Sequence, residues 1–150
     1  IFESDIFDVA FTAGGSPCYL CARMRRGALY SKAQSLGCNK IALGHHLDDI
    51  LETLLMNMLY KGEFSGMPPF VPYEKYPVSV IRPLCYCEET EITEFVQEMG
   101  LECPSCKCIA AGNSNRRLIR EQIEALTMGK STLKRNLFES MRHIRMDYLL

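Results

Sequence analysis

Within the stretch Gly44-His45-His46-Leu47-Asp48-Asp49-Ile50-Leu51-Glu52-Thr53-Leu54-Leu55 the chain gathers a glycine, two imidazoles and three carboxylates. Hard oxygen donors such as Asp48 and Asp49 suit Mg²⁺ shared with phosphate groups. The imidazoles of His45 and His46 can contact a nucleotide or move a proton. Asp48 and Glu52 stand one helical turn apart and share a side. Acids in a first helical turn also favour the macrodipole, by up to about 1 kcal/mol each, so the aspartate pair has a structural use as well.

The second set of reactive side chains is thiol. Eight cysteines occur, as Cys18-x-x-Cys21, Cys38, Cys85 and Cys87, then Cys103-x-x-Cys106-x-Cys108. With no export signal in view, such usage points to metal or redox chemistry before disulfides. Cys18 and Cys21 at the start of a helix share a face and can grip one metal or cluster, and nearby Arg23, Arg25 and Arg26 favour their thiolates. Pro104 excludes a regular helix between Cys103 and Cys106 and suits a tight ligand-holding loop. Cys85 and Cys87 are spaced poorly for a ligand pair and read as structural, and Cys38 reads as a small packed apolar residue. Four thiolates in a closed tetrahedron would make structural zinc; three around an iron–sulfur cluster would leave one iron open. Spacing leaves both in place.

The elements that must position these groups follow from periodicity. Lys40 to Leu43 is a short buried strand ended by Gly44, and from Leu47 to Tyr60 apolar pairs recur every four residues, which gives a helix with Asp48, Asp49, Glu52 and Thr53 on its polar side. A ligand at the carboxyl end of that strand is the expectation for an open α/β sheet. Cys18 to Leu36 reads as a helix stopped by Gly37. Ile1 to Phe11 reads as the tail of a strand or an irregular lead-in. Thr12 to Pro17 is turn-rich but lacks the Gly-Lys-Ser/Thr ending of a phosphate-binding P-loop. After a loop over Tyr60 to Pro69, Val78 to Ile81 forms the next strand, with Arg82 at its end placed to reach a phosphate. Ile92, Phe95, Val96 and Met99 make a helical stripe closed by Gly100. Asn113 or Ser114 caps a helix through about Leu126, and Ser131 caps a last one that buries Leu133, Leu137, Met141 and Ile144. Strand and helix alternate with short links, the pattern of a parallel sheet layered by helices.

At 150 residues, 47% hydrophobic and 23% charged, the chain has the make-up of one globular domain, 1–150, with a basic helical tail from about 113 to 150. No apolar run approaches the roughly 18 residues of a membrane span, and Ile1 to Ala10 lacks the basic start of a secretory signal, so the expectation is a cytoplasmic protein with no membrane partner. Net charge is −1, so any nucleic-acid binding falls to local patches: Arg23, Arg25 and Arg26; Arg116, Arg117 and Arg120; and Lys130, Lys134, Arg135, Arg142 and Arg145, which face out from the tail. Glu88, Glu89, Glu91, Glu94 and Glu98 read as a solvated helix face.

Cys18-Tyr19-Leu20-Cys21-Ala22-Arg23-Met24-Arg25-Arg26-Gly27, Lys40 to Thr53, Gly66-Met67-Pro68-Pro69, Ile81-Arg82-Pro83-Leu84 and Lys134-Arg135-Asn136-Leu137-Phe138 occur in the order found in one family. Together they resemble the tRNA 2-thiocytidine synthetase family, a branch of the PP-loop ATP pyrophosphatases. The resemblance implies an α/β, Rossmann-like fold of the adenine nucleotide alpha hydrolase type. It implies adenylation of a tRNA cytidine with Mg-ATP and replacement of that oxygen by sulfur at a [4Fe-4S] cluster. Carried over, Cys18, Cys21 and Cys103 would hold the cluster, with Cys106 or Cys108 able to displace Cys103. Asp48, Asp49 and Cys103 would be catalytic, and Gly44, His45, His46, Glu52 and Arg82 would bind the nucleotide.

The family's Ser-Gly-Gly-x-Asp-Ser phosphate loop does not occur here. The expectation is therefore a C-terminal portion of a longer enzyme, inactive toward ATP when isolated. Expected partners are tRNA and a sulfur donor such as a cysteine desulfurase, and a homodimer is an admissible assembly. Two other readings are a non-catalytic RNA-binding module stapled by zinc, and a PP-loop ATPase acting on another substrate.

Overall fold

The computed structural model describes residues 6–12, 17–73, 77–102 and 115–149. They form an α/β protein whose contacts divide it into two compact units, Ile1–Leu43 with Pro69–Ile81, and Gly44–Pro68 with Arg82–Leu150.

The first unit opens with α1, Ile6–Thr12, where the sequence suggested a strand tail or an irregular lead-in. Ile6 and Ala10 are one helical turn apart and both are buried, so burial at a spacing of four decides the local conformation. α1 packs on α2, Pro17–Ser35, which buries Tyr30 and Ala33, half-buries Leu20, Met24 and Ala28, and turns Arg23, Arg25 and Arg26 outward. Gly37 follows with φ +68°, the left-handed conformation that ends helices and favours glycine. The sheet comprises β1 (Lys40–Ala42), β2 (Phe70–Val71) and β3 (Ser79–Ile81) in the order β1-β3-β2. β1 and β3 are parallel with Ile41 opposite Val80, as the strand–helix–strand pattern requires. β2 is antiparallel to β3 and makes the sheet mixed; two residues are too few to show a period. Val78 and Val80 are each 2% exposed and anchor this layer.

The second unit is helical. α3, Leu47–Lys61, packs against α5, Asn115–Thr127, and α6, Ser131–Ser140, while α4 spans Glu89–Glu98. Leu47, Ile50 and Leu51 of α3 meet Cys85, Ile119, Ile123 and Phe138 in one core. Each large aliphatic side chain buried there contributes about 2 kcal/mol. Gly62 ends α3 at φ +69°, its amide bonded back to the Asn57 carbonyl.

Three expectations for this unit change. Lys130, not Ser131, is the N-cap of α6, and the Ser131 hydroxyl donates to Glu88 Oε1 instead. Phe138 is the buried residue of α6; Leu133, Leu137 and Met141 are half-buried, and Ile144, past the helix end, is exposed. The α4 stripe is covered only at Ile92 and Val96, half-buried, whereas Phe95 and Met99 are exposed. No described helix is long and apolar enough to cross a membrane.

Candidate functional site

Residues 43–46 lead from β1 into α3, and His46 is the N-cap of that helix in extended conformation. Its backbone N–H donates to Asp49 Oδ2 at 3.1 Å, so Asp49 closes the first turn as an acid three residues into a helix can. The structural use of the aspartate pair is therefore real.

The three carboxylates of α3 are enclosed by cations from the last two helices. Asp48 Oδ1 lies 2.8 Å from Lys134 Nζ, and Asp48 Oδ2 accepts from the Glu89 N–H at 2.7 Å. Asp49 Oδ1 lies 2.9 Å from Arg116 Nη1. Glu52, 1% exposed, accepts from Arg120 Nε at 2.8 Å through Oε1, with Arg116 Nε 3.6 Å from Oε2. The His46 ring spans the pair, 3.6 Å from Asp48 and 3.3 Å from Asp49.

Burial alone would push the Asp48 carboxyl up, but the His46 imidazole 3.6 Å away, the Lys134 ammonium and the Glu89 amide outweigh it and hold the group well below the carboxylate range. The Asp48 carboxylate beside it, with that of Asp49, raises the His46 imidazole above its ordinary value against the effect of burial. Burial lowers His45, aided by Arg82, Arg116 and His46 and opposed by Asp49.

These partners correct two readings. Lys134 does not face outward with the rest of the tail, and its side chain is 13% exposed. The glutamate row does more than solvate α4: Glu88, 3% exposed, bonds Arg135 and Ser131, Glu89 pairs with Arg120, and Glu91 with Arg135. No sequence signal pairs such distant residues, although the acids crowded on α3 and the basic residues of α5 and α6 are a hint of complementarity.

Arg82, expected to reach a phosphate, also has partners within the protein: its Nε donates to His45 Nδ1 at 3.3 Å and its Nη1 to the Pro68 carbonyl oxygen. Gly44 has open space where a Cβ would stand.

All four oxygens of Asp48 and Asp49 have protein donors, so Mg²⁺ would have to displace Lys134 or Arg116 to reach them. This arrangement does not fit a resident cation, and no step is derived through one. Among the described residues no group of three or more His, Cys, Asp or Glu side chains is placed to hold a metal ion. A cleft of about 480 Å³ runs beside the network, lined by Asp48, Glu89, Thr93, Gln97, Arg120 and Lys134.

In the other unit, Cys18 is exposed and Cys21 half-buried in the first turns of α2, and both thiols are free. Two free thiols three positions apart at a helix start are a donor set that fits a cluster or zinc. The remaining candidates, Cys103 and Cys106, and Cys108 with them, lie outside the described residues. Cys38 is exposed, not packed. Cys85 is buried, and burial pushes its thiol up, which suits an inert core residue. Cys87 is half-buried, and its carbonyl accepts the Leu47 N–H.

The pattern that defines the PP-loop domain matches residues 11–126. The tRNA-cytidine(32) 2-sulfurtransferase of Geobacter sulfurreducens is 41% identical over 139 residues, which cover 91% of this chain and 54% of that protein. The protein of the same name from Methylobacillus flagellatus is 36% identical over 155 residues, 99% of this chain and 50% of its own length. The chain thus spans about half the length of the curated relatives it matches. Among solved structures, the U34-tRNA thiolase NcsA from Methanococcus maripaludis with its [4Fe-4S] cluster matches with a TM-score of 0.71 at 21% identity, over 91% of this chain and 46% of that one. At that identity the likeness is one of fold.

Proposed function

Because the chain belongs to the PP-loop domain family, we propose that it serves in ATP-dependent thiolation of tRNA, with a cytidine as the base that exchanges its 2-oxygen for sulfur. The observation that carries this reading is the similarity to tRNA-cytidine(32) 2-sulfurtransferases, 41% identity across 91% of the chain. In the reaction, the cytidine oxygen attacks the α-phosphorus of ATP and pyrophosphate leaves. Sulfide then adds to the activated carbon, and AMP departs with the oxygen.

Gly44, His45 and His46 face the nucleotide in this reading, with Arg82 behind His45. Asp48, Asp49 and Glu52 keep those residues in place through the helix start and its cations, and the catalytic part first read for Asp48, Asp49 and Cys103 belongs to the same proposal. Cys18, Cys21 and one of Cys103, Cys106 and Cys108 hold a [4Fe-4S] cluster, which when bound supplies an iron free of protein ligands for sulfur. Arg23, Arg25 and Arg26 are exposed and have no ion pair among the described residues, which leaves their charge available to a tRNA backbone. A sulfur donor such as a cysteine desulfurase and a cytoplasmic setting complete the proposal.

Metal analysis of anaerobically purified protein tests it. Iron and acid-labile sulfide in equal amounts, lost in Cys18→Ser and Cys21→Ser, are the expected result. One zinc and no iron would replace the thiolation reading with that of a zinc-stapled RNA-binding module.

A further inference from the structure

We propose that Arg82 fixes His45 as the neutral tautomer with its proton on Nε2, and so makes His45 a hydrogen-bond donor to an acceptor oxygen of the ligand. The geometry is a single contact with few alternatives. Arg82 Nε lies 3.3 Å from His45 Nδ1, and a guanidinium has five N–H donors, no acceptor and no accessible neutral form. Nδ1 must therefore present its lone pair, and the one proton of the neutral ring sits on Nε2. Arg82 is itself anchored, because its Nη1 donates to the Pro68 carbonyl oxygen.

The surroundings act in the same sense. Burial lowers the basicity of His45, and the charges of Arg82, Arg116 and His46 add to that against the single opposing carboxylate of Asp49. Arg82 then acts as a positioning residue, and of the two roles open to His45 in sequence, contact with a nucleotide and proton transfer, the contact is the one that a fixed Nε2 donor serves. A donor fixed in this way selects an acceptor atom, such as a phosphate oxygen, and rejects a donor at the same place. The ligand half of this inference rests on the proposed nucleotide site; the tautomer half does not.

Long-range ¹H–¹⁵N correlation spectra of the ¹⁵N-labelled chain test it, with His45 distinguished from the other two histidines by a His45→Gln variant. The expected spectrum has an unprotonated Nδ1 and a protonated Nε2 for His45 at neutral pH. In Arg82→Met the two tautomers average and the titration midpoint of His45 rises. A wild-type His45 that is averaged or protonated at Nδ1 overturns the proposal, as does an unchanged pattern in Arg82→Met. Should that variant fail to fold, the wild-type spectrum alone decides. Adding ATP should move the Nε2 signal while the tautomer stays fixed. No response would remove the nucleotide as the ligand of His45 and leave the Arg82 contact standing.

Discussion

Lys134 Nζ stands 2.8 Å from Asp48 Oδ1, with the two side chains only 13% and 12% exposed. The pair ties the last helix to the first turn of α3, next to the histidines that the proposed reaction uses. Its cation is one that a reading of the tail as a solvated basic face sends into water.

Lys134→Met leaves a covered carboxylate with only the Glu89 amide and His46 for partners. Removing one member of a covered pair strands the other charge, at a cost of about 3 kcal/mol. Urea unfolding should show that loss, and Lys134→Met combined with Asp48→Asn should recover part of it. A single variant as stable as the wild type would mean that the pair contributes nothing.

The pH dependence has a definite sign. Asp48 is depressed in the fold below its ordinary value of 3.8, so its contribution is fully present above that value and is lost as pH falls through and below it. Asp48→Asn should therefore flatten the acid limb of the stability curve. His46 is raised above 6.5, so its contribution is present below that pH and disappears as pH rises through the raised value. His46→Gln should cost more stability at pH 6 than at pH 9, and equal losses at both would refute the assignment.

Gly62 ends α3 in the left-handed region, with open space where a Cβ would stand. Gly62→Ala should cost about 1 kcal/mol through backbone strain alone. Thermal unfolding of that variant beside Gly44→Ala, whose glycine has the same open space but no positive φ, isolates the conformational strain: a fall in Tm for the first and little change for the second is expected.

The sequence marked the elements whose signals are local. The four-residue recurrence of Ile50, Leu51, Leu54 and Leu55 gave α3 within a residue of its observed end, and Gly37, Gly44 and Gly100 marked real boundaries. It was silent on β2, whose two residues are too few to show a period and are held by pairing with the next strand. It missed α1, where two buried positions make too short a stripe to stand out from alternation. At the candidate site the residue types were legible and their engagements were not. His45, His46, Asp48, Asp49 and Glu52 are near neighbours in the chain, but Lys134, Arg116, Arg120 and Arg82 reach them only through folding. That is why Asp48 and Asp49 read as free ligands for a cation in sequence, and stand as ion-paired carboxylates in the structure.

The most direct measurement is mass spectrometry of tRNA nucleosides from source cells in which the gene for this chain is intact, interrupted, or replaced by its Asp48→Ala form. The account predicts 2-thiocytidine in the first and its loss in the other two. Unchanged 2-thiocytidine after interruption would contradict it.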